Sequence, residues 1–390
     1  MESLLLNDLY KFTVQQFFFC NAGRDTTARY RFVCRNEKDR GVKKLYPYMD
    51  DIKERLSEIS NIRLTPLELD YLKSLDLFSK RYLTCLKTFE LDKEWLYINN
   101  DLDRLEIMAE GPLLQVMMWE IFILRTVHEV YTMNNFNANS IKVGNEILSS
   151  KINMINHYAK DNPFKLVDFG TRRAYSSEWH RHVLETLKER LIKGVLVGTS
   201  NVKLAMDLDL KPIGTFGHEL PCYYQSVTHP LDSQVMTLKK WRAFYGDKLS
   251  IALSDTLGLD KFLEDFTPDM AILYDGVRHD SGNPFIFTDR IIDHYKSFGI
   301  NPLEKIIAYS DGLDIQSSIQ LTEYCKGKIK TPLCCIGTNM SNDVGVPALQ
   351  NVYKLVEVNN RPVAKIADSP GKGMCEDKDY ETYLKGLLSK

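Results

Sequence analysis

From residue 165 onward the chain alternates short apolar runs with amphipathic segments of helix length. The runs are KLVDFGTRR (165–173), GVLVGTSN (194–201), KPIGTFGHE (211–219), LSIALSDT (249–256), MAILYDGVRHDSG (270–282), KIIAYSDG (305–312) and TPLCCIGTN (331–339). Continuous apolar runs ending in turn residues are the pattern of buried parallel strands, and their alternation with helices predicts a parallel sheet. Seven such units predict a (β/α) barrel over residues 136–350. The stretch before it reads as α+β. Leu9, Phe12, Val14, Phe17 and Phe18 crowd one side of a helix over 7–20, which Asn7 or Asp8 can cap, and Ala28, Tyr30, Phe32 and Cys34 alternate as in a half-buried strand. Thr65-Pro66-Leu67-Glu68 is a capping box with proline at the first helical position. WLYIN (95–99) and LEIMAEG (105–111) predict strands, 113–131 one long helix, Asn134 to Asn137 a loop, and 140–158 a further helix. Residues 1–135 thus form a first domain. In the segment 351–390, YKLVEVNNRPVAKIAD reads as a hairpin around Asn359-Asn360 that returns to the first domain's sheet, followed by a tight turn, SPGKG (369–373).

Composition narrows the partners. Fifty Lys and Arg against 52 Asp and Glu leave a formal charge of -2, which predicts neither nucleic-acid nor anionic-membrane binding. The eight cysteines show no CxxC spacing and predict reduced thiols. The N-terminus lacks a secretory pattern, and the most apolar window, 112–124, is interrupted by Glu120 and closed by Arg125. The expectation is a cytoplasmic enzyme or binding protein for small molecules.

The polar residues of the rhythmic region lie just after each apolar run, at the strand's C-terminal end, and such ends share the active face of a (β/α) barrel. Asp168, Arg172, Thr199, His218, Asp255, Arg278, Asp280, Asp311 and Thr338 are therefore expected to converge, although any one of them alone is an ordinary cap or loop residue. Ser310-Asp311-Gly312 and Gly337-Thr338-Asn339 are candidate phosphate cradles, and no GxxxxGK[ST] occurs. In Arg278-His279-Asp280-Ser281-Gly282 the arginine can clamp a carboxylate or phosphate, and Asp280 suits ribose hydroxyls or a hydrated Mg²⁺. His218 stands on a turn after Gly214, where a base, a metal ligand or a nucleophile are all conceivable. The chain has no HExxH or Cys/His ligand spacing, and Asp255, at the next strand end, could hold one ring nitrogen, which suits a phosphoryl-accepting histidine.

DLYKFTVQQ (8–16), DFGTRR (168–173), GTSN (198–201), GTFGHE (214–219), RHDSG (278–282), SDGLD (310–314), IGTN (336–339) and RPVAKIADSPGK (361–372) closely resemble, in order, the motifs of the nicotinate phosphoribosyltransferase family. The resemblance implies an N-terminal open α/β sandwich domain, completed by C-terminal strands, beside an irregular (β/α) barrel. It implies the first step of NAD salvage: nicotinate and phosphoribosyl pyrophosphate give nicotinate mononucleotide and pyrophosphate, with ATP hydrolysed through a phosphohistidine, Mg²⁺ as cofactor, and a homodimer with shared sites. By motif, His218 is the phosphorylated residue and Asp255 its orienting carboxylate. Tyr10, presented to a neighbouring subunit's barrel, and Phe169 sandwich the pyridine, and Thr215 and Arg278 contact nicotinate. Arg172, Asp280, Ser310, Asp311, Gly312, Gly337 and Thr338 serve the donor's phosphates and ribose, with Asp280 also toward Mg²⁺.

The related nicotinamide enzyme has an aspartate where this chain has Ser200, a possible donor to a carboxylate, so nicotinate is the expected base. Asn283 and Gly217 depart from the family's usual Asp and Ala or Ser. A nicotinamide phosphoribosyltransferase, or a non-catalytic sugar-phosphate or nucleotide sensor on the same scaffold, are the alternative readings.

Overall fold

The computed structural model describes residues 2–136, 138–369 and 371–389, so Asn137 of the expected loop and Pro370 of the expected SPGKG turn lie outside the described residues. In chain order the strands are β1 (Thr27–Cys34), β2 (Leu96–Asp101), β3 (Arg104–Pro112), β4 (Leu166–Asp168), β5 (Leu196–Thr199), β6 (Ile251–Leu253), β7 (Gly276–His279), β8 (Ile306–Tyr309), β9 (Thr331–Ile336), β10 (Asn351–Val358) and β11 (Arg361–Pro362). They form two sheets, an antiparallel one of order β11-β10-β1-β3-β2 and a parallel one of order β5-β4-β9-β8-β7-β6. The fold is mixed α/β.

In the antiparallel sheet β1 buries Ala28, Tyr30 and Phe32 and turns Arg29 and Arg31 outward, the period of two that its sequence carries. Strand β10 pairs with β1 from Ala28↔Val358 to Cys34↔Asn351. The turn into β11 uses Asn359 and Asn360 at φ 50° and 59°, the left-handed pair that a tight hairpin demands. Thr65 and Glu68 make both bonds of the expected capping box. The helix expected over 113–131 is instead two, Leu113–Val116 and Trp119–Asn135. Met117 and Met118 between them keep helical dihedrals but tighten to a three-residue bond, Met118 N–H to Gln115 O at 3.1 Å.

The parallel sheet has six strands where seven runs were expected, and its ladder does not close into a barrel. KPIG (211–214) contributes one bridge, Thr199↔Pro212, and then leaves the sheet. Pro212 has no N–H to offer a further neighbour. Gly214 lies against the start of the first helix, Leu9–Asn21, so closely that a Cβ would stand 3.1 Å from Tyr10 N. The N-terminal segment itself zips onto the end of β5: Leu9 N–H donates to Ser200 O, Val202 N–H to Asn7 O and Lys203 N–H to Leu5 O, at 2.8 to 2.9 Å. Residues 5–10 are thereby fixed at the C-terminal edge of the parallel sheet. Among the described residues no helix is long and apolar enough to cross a membrane.

Candidate active site

His218 stands at the N-cap of the helix Glu219–Val227 and lines a cavity at the strand ends of the parallel sheet. Its Nε2 lies 2.7 Å from Asp255 Oδ1, just beyond β6. The other oxygen of Asp255 accepts from Ser281 Oγ at 2.7 Å and faces Lys365 Nζ at 2.8 Å. Burial alone would raise the Asp255 pKa, but His218 and Lys365 outweigh it and hold the carboxyl well below its ordinary value. An ionised carboxylate only accepts, so the imidazole carries its proton on Nε2 and leaves Nδ1 as a lone-pair nitrogen. Burial first, and Lys365 second, push the His218 pKa down to about 4, so the ring is neutral at physiological pH. Nδ1 makes no hydrogen bond among the described residues.

Strands β7 and β8 supply the next group. Arg278 Nε donates to Ser310 Oγ at 2.8 Å, and its guanidinium lies 3.3 Å from Asp280 Oδ1 and 5.7 Å above the Phe169 ring. Ser310 in turn donates to Asp280 at 2.8 Å. Burial opposes ionisation of Asp280, but Arg278 and Lys365 prevail and depress its pKa far below the ordinary value. Beyond this group lies a second cavity of about 530 Å³, lined by Arg172, Arg173, Arg278, Ser310, Gly312, Gly337 and Thr338. Gly312 has φ +60°, a left-handed conformation that favours glycine, and a Cβ on Gly337 would stand 2.9 Å from Phe169 O, so both turns need glycine. Three guanidinium groups and open backbone turns give this cavity the chemistry that suits a polyphosphate.

Not every expected residue reaches the cavities. Asp168 is buried and satisfied by His180 Nε2 at 2.9 Å, Thr199 Oγ1 at 2.6 Å and Gly170 N–H at 3.0 Å, so Asp168 and Thr199 fasten the ends of β4 and β5. Asp311 turns away to pair with Lys372. Thr215 lines the first cavity on the same turn as His218. Tyr10, expected to reach into a neighbouring subunit, lies in its own chain's cavity: its hydroxyl donates to Glu120 Oε2 at 2.8 Å, and Phe169 lines the same space. The packing of residues 5–10 on β5 puts it there. Ser200 also lines the cavity, but its hydroxyl donates to Asp8 Oδ1 at 2.7 Å and is not free to donate to a bound carboxylate. Asp8, which precedes the first helix, thus stands beside position 200 on the cavity. Burial raises the Asp8 pKa.

Sequence reasoning did not single out Asp8, Glu120, Lys354 and Lys365, which line the first cavity, or Lys11, buried behind its wall. Glu120 had a signal, an acid interrupting the most apolar stretch of the chain, and Lys11 and Lys365 stood inside quoted motifs. Lys354 had none, because a lysine on a strand is ordinarily solvent-facing. Here β10 brings it to the cavity wall, where burial, followed by Lys365, lowers its pKa to about 8, and among the described residues no acid stands within 4.0 Å of it. As for a metal, His218, Asp255 and Asp280 place one ligand atom each within 4.8 Å of one another. His218 Nε2 and Asp255 are committed to each other, so the part that fits Mg²⁺ is Asp280, a single carboxylate on the cavity that would share the ion with phosphate oxygens and water.

Comparison with known proteins shows what the chain is similar to. The model of the nicotinate phosphoribosyltransferase (NAPRTase) family matches residues 164–389, and that of the family's N-terminal domain matches residues 5–128. Curated nicotinate phosphoribosyltransferases from Acinetobacter baumannii and Neisseria meningitidis serogroup B are 38% and 39% identical to the chain, covering 100% of it and 97% of each relative. The crystal structure of a nicotinate phosphoribosyltransferase from Vibrio cholerae superposes with a TM-score of 0.92 at 33% identity, over 100% of this chain and 93% of that one. The Porphyromonas gingivalis structure of the same name gives 0.92 at 27% identity, over 100% of both.

Proposed function

The chain belongs to the nicotinate phosphoribosyltransferase family, whose members are enzymes of NAD biosynthesis, and from that premise we propose how its residues divide the work. Nicotinate and phosphoribosyl pyrophosphate give nicotinate mononucleotide and pyrophosphate, and ATP phosphorylates His218 in a coupled cycle. The observation that carries the coupling is the His218–Asp255 pair: with Nε2 bound to a carboxylate that Ser281 and Lys365 fix, Nδ1 is a neutral nucleophile on the cavity. It forms the new N–P bond as the bond from the γ-phosphorus to the β–γ bridging oxygen breaks, and ADP takes the electron pair; water later cleaves the N–P bond, releasing phosphate and returning His218 to its neutral form.

For the phosphoribosyl step, Tyr10 and Phe169 hold the pyridine ring, with Thr215 and Arg278 beside it. The pyridine nitrogen attacks C1 of the donor, through a cation-like state, while pyrophosphate departs toward Arg172, Arg278, Lys354, Gly312, Gly337 and Thr338. Mg²⁺, when bound, would be held by Asp280 with the donor's oxygens and would offset the charge of the leaving group. The six-stranded sheet, with residues 211–218 and the first helix across its gap, serves as an irregular barrel. Because Tyr10 reaches its own chain's cavity, a homodimer remains part of this reading without having to complete the base site.

Incubation with the donor, Mg²⁺ and either nicotinate or nicotinamide, with and without ATP, tests the reaction. Nicotinate mononucleotide is expected, with more of it when ATP is present. Product from neither base refutes the enzymatic reading, and a sensor would behave that way. For the histidine, γ-labelled ATP is expected to label the native protein but not His218→Ala. A labelled H218A protein that kept full ATP stimulation would show the phosphohistidine assignment to be wrong.

A further inference from the structure

Lys11 has no solvent exposure, and the nearest charges to it are two acids. Its ammonium lies 3.0 Å from Glu120 Oε2, and 3.0 and 2.8 Å from the two oxygens of Glu219. Three N–H donors meet three acceptor oxygens, so the hydrogen-bonding capacity of the ammonium is used in full. Each acid then runs to a different part of the cavity. Glu120 accepts the Tyr10 hydroxyl at 2.8 Å and lies 3.7 Å from Arg172. Glu219 follows His218 directly in the chain and accepts the Tyr30 hydroxyl at 2.8 Å.

A buried charge cluster of this kind is weak as a source of stability, since well-packed apolar residues of similar volume generally do as well. Its distinguishing property is geometric. One ammonium is shared by two carboxylates, and each end of this bridge holds a different group of the cavity, Glu120 the Tyr10 hydroxyl and Glu219 the start of the helix that His218 caps. Burial raises the Glu219 pKa, whereas Glu120, against the same burial, is drawn down by Lys11 and Arg172. Glu219 meets the ammonium with both oxygens and Glu120 with one, so the two acids hold it unequally, and a displacement of either changes the grip of the other.

We propose that Lys11 is a positioning residue linking the phosphoryl-accepting residue to the groups that hold the pyridine: through Glu219 it sets the turn that carries His218, and through Glu120 it sets the Tyr10 ring and the Arg172 guanidinium. The proposal rests on the roles assigned to His218 and Tyr10 above. Lys11 touches no substrate. It acts by transmitting a change at one end, such as the arrival of a phosphoryl group beside Glu219, to the hydrogen bond that orients Tyr10 at the other.

Glu219→Gln, Glu120→Gln and the double variant test this with two readouts: label uptake from γ-labelled ATP in a single turnover, and the KM for nicotinate measured without ATP. Each single substitution is expected to change both readouts by about tenfold, the scale of coupling between residues that share a partner. The double variant should change them no further than the larger single change. Effects confined to each variant's own end, or fold-changes that multiply in the double variant, would overturn the link. Lys11→Met is prone to misfold, because it leaves the buried Glu219 without a cation. Lys11→Arg, which can still bridge both, should keep the cross-effect of E219Q on nicotinate KM, and losing it with an unchanged urea midpoint would overturn the role of the shared cation. Native protein that took up no label would defeat the phosphohistidine reading alone, since the nicotinate KM of E219Q still decides the link.

Discussion

Lys365→Met is expected to move the pH dependence of His218 phosphorylation. Lys365 and His218 bind different oxygens of the Asp255 carboxylate, and both are nearly buried. Hydrogen bonds of ordinary length to the two oxygens of one carboxylate place the partners on the order of 5 Å apart. At an effective dielectric constant of ~20, an ammonium and an imidazolium so placed repel by about 3 kcal/mol, equivalent to about 2 pKa units. With the ammonium gone, Asp255 keeps its charge for His218 alone, and the imidazole pKa should rise from about 4 to roughly 6. An imidazolium has no lone pair on Nδ1. Single-turnover label uptake from γ-labelled ATP, followed from pH 8 to about pH 5, should show no limb due to His218 in the native protein. In K365M an added acid limb should lower the rate about tenfold per unit below its new pKa. Breaking the buried pair should also cost about 3 to 5 kcal/mol, so folding is checked by urea denaturation at each pH. Superimposable pH profiles from folded native and K365M protein would refute the electrostatic reasoning.

Other substitutions probe the remaining walls of the site. Lys354→Met should weaken pyrophosphate binding about tenfold or more at pH 7, as expected for a lost hydrogen bond to a charged group. Calorimetry on the native protein should show binding weakening above about pH 8, where the ammonium loses its proton, and the variant should lack that dependence. Gly217→Ala would place a Cβ 3.0 Å from Tyr10 Cε2, so the ring must shift by a few tenths of an ångström; nicotinate KM should rise roughly threefold, with a smaller effect on label uptake. His128 is held neutral by burial at about 3, and His218 at about 4. The unfolded chain takes up protons on both below its ordinary value of ~6.5 while the folded chain does not, so stability is lost as pH falls from about 6.5 toward 4, by about 3 kcal/mol from His128 alone. Urea midpoints at pH 7 and 4.5 measure this, and His128→Asn should flatten the slope.

Much of the scaffold is local and so was legible. The alternation of β1, the six apolar runs of the parallel sheet, the Thr65 capping box and the Asn359-Asn360 turn each depend on residues within a few positions of one another. The motifs carried the family, which residues 5–128 and 164–389 establish. The His218–Asp255 contact was also accessible, because strand ends of a parallel sheet share a face: Asp255 follows the end of β6, and His218 follows the run 211–214 that bridges to the end of β5. Being at a strand end did not guarantee access, however: Asp168 and Thr199 are drawn inward by each other, and Asp168 also by His180 of the helix Ser177–Arg190.

What the sequence determined by itself was the set of elements and the chemical types at their ends, since periodicity, caps and turn residues act over a few bonds. Tertiary structure decided which chain segment stands against which strand end. The first helix docks on β5, so Tyr10 enters its own cavity and Asp8 captures the Ser200 hydroxyl, and β10 carries Lys354 to the same wall. Lys11, Glu120 and Glu219 meet although more than a hundred residues separate each acid from the lysine. Contacts of that kind follow from side-chain directions fixed only when the two sheets and the helices between them pack together, because burying the apolar faces leaves each charged group one place where it can be paired.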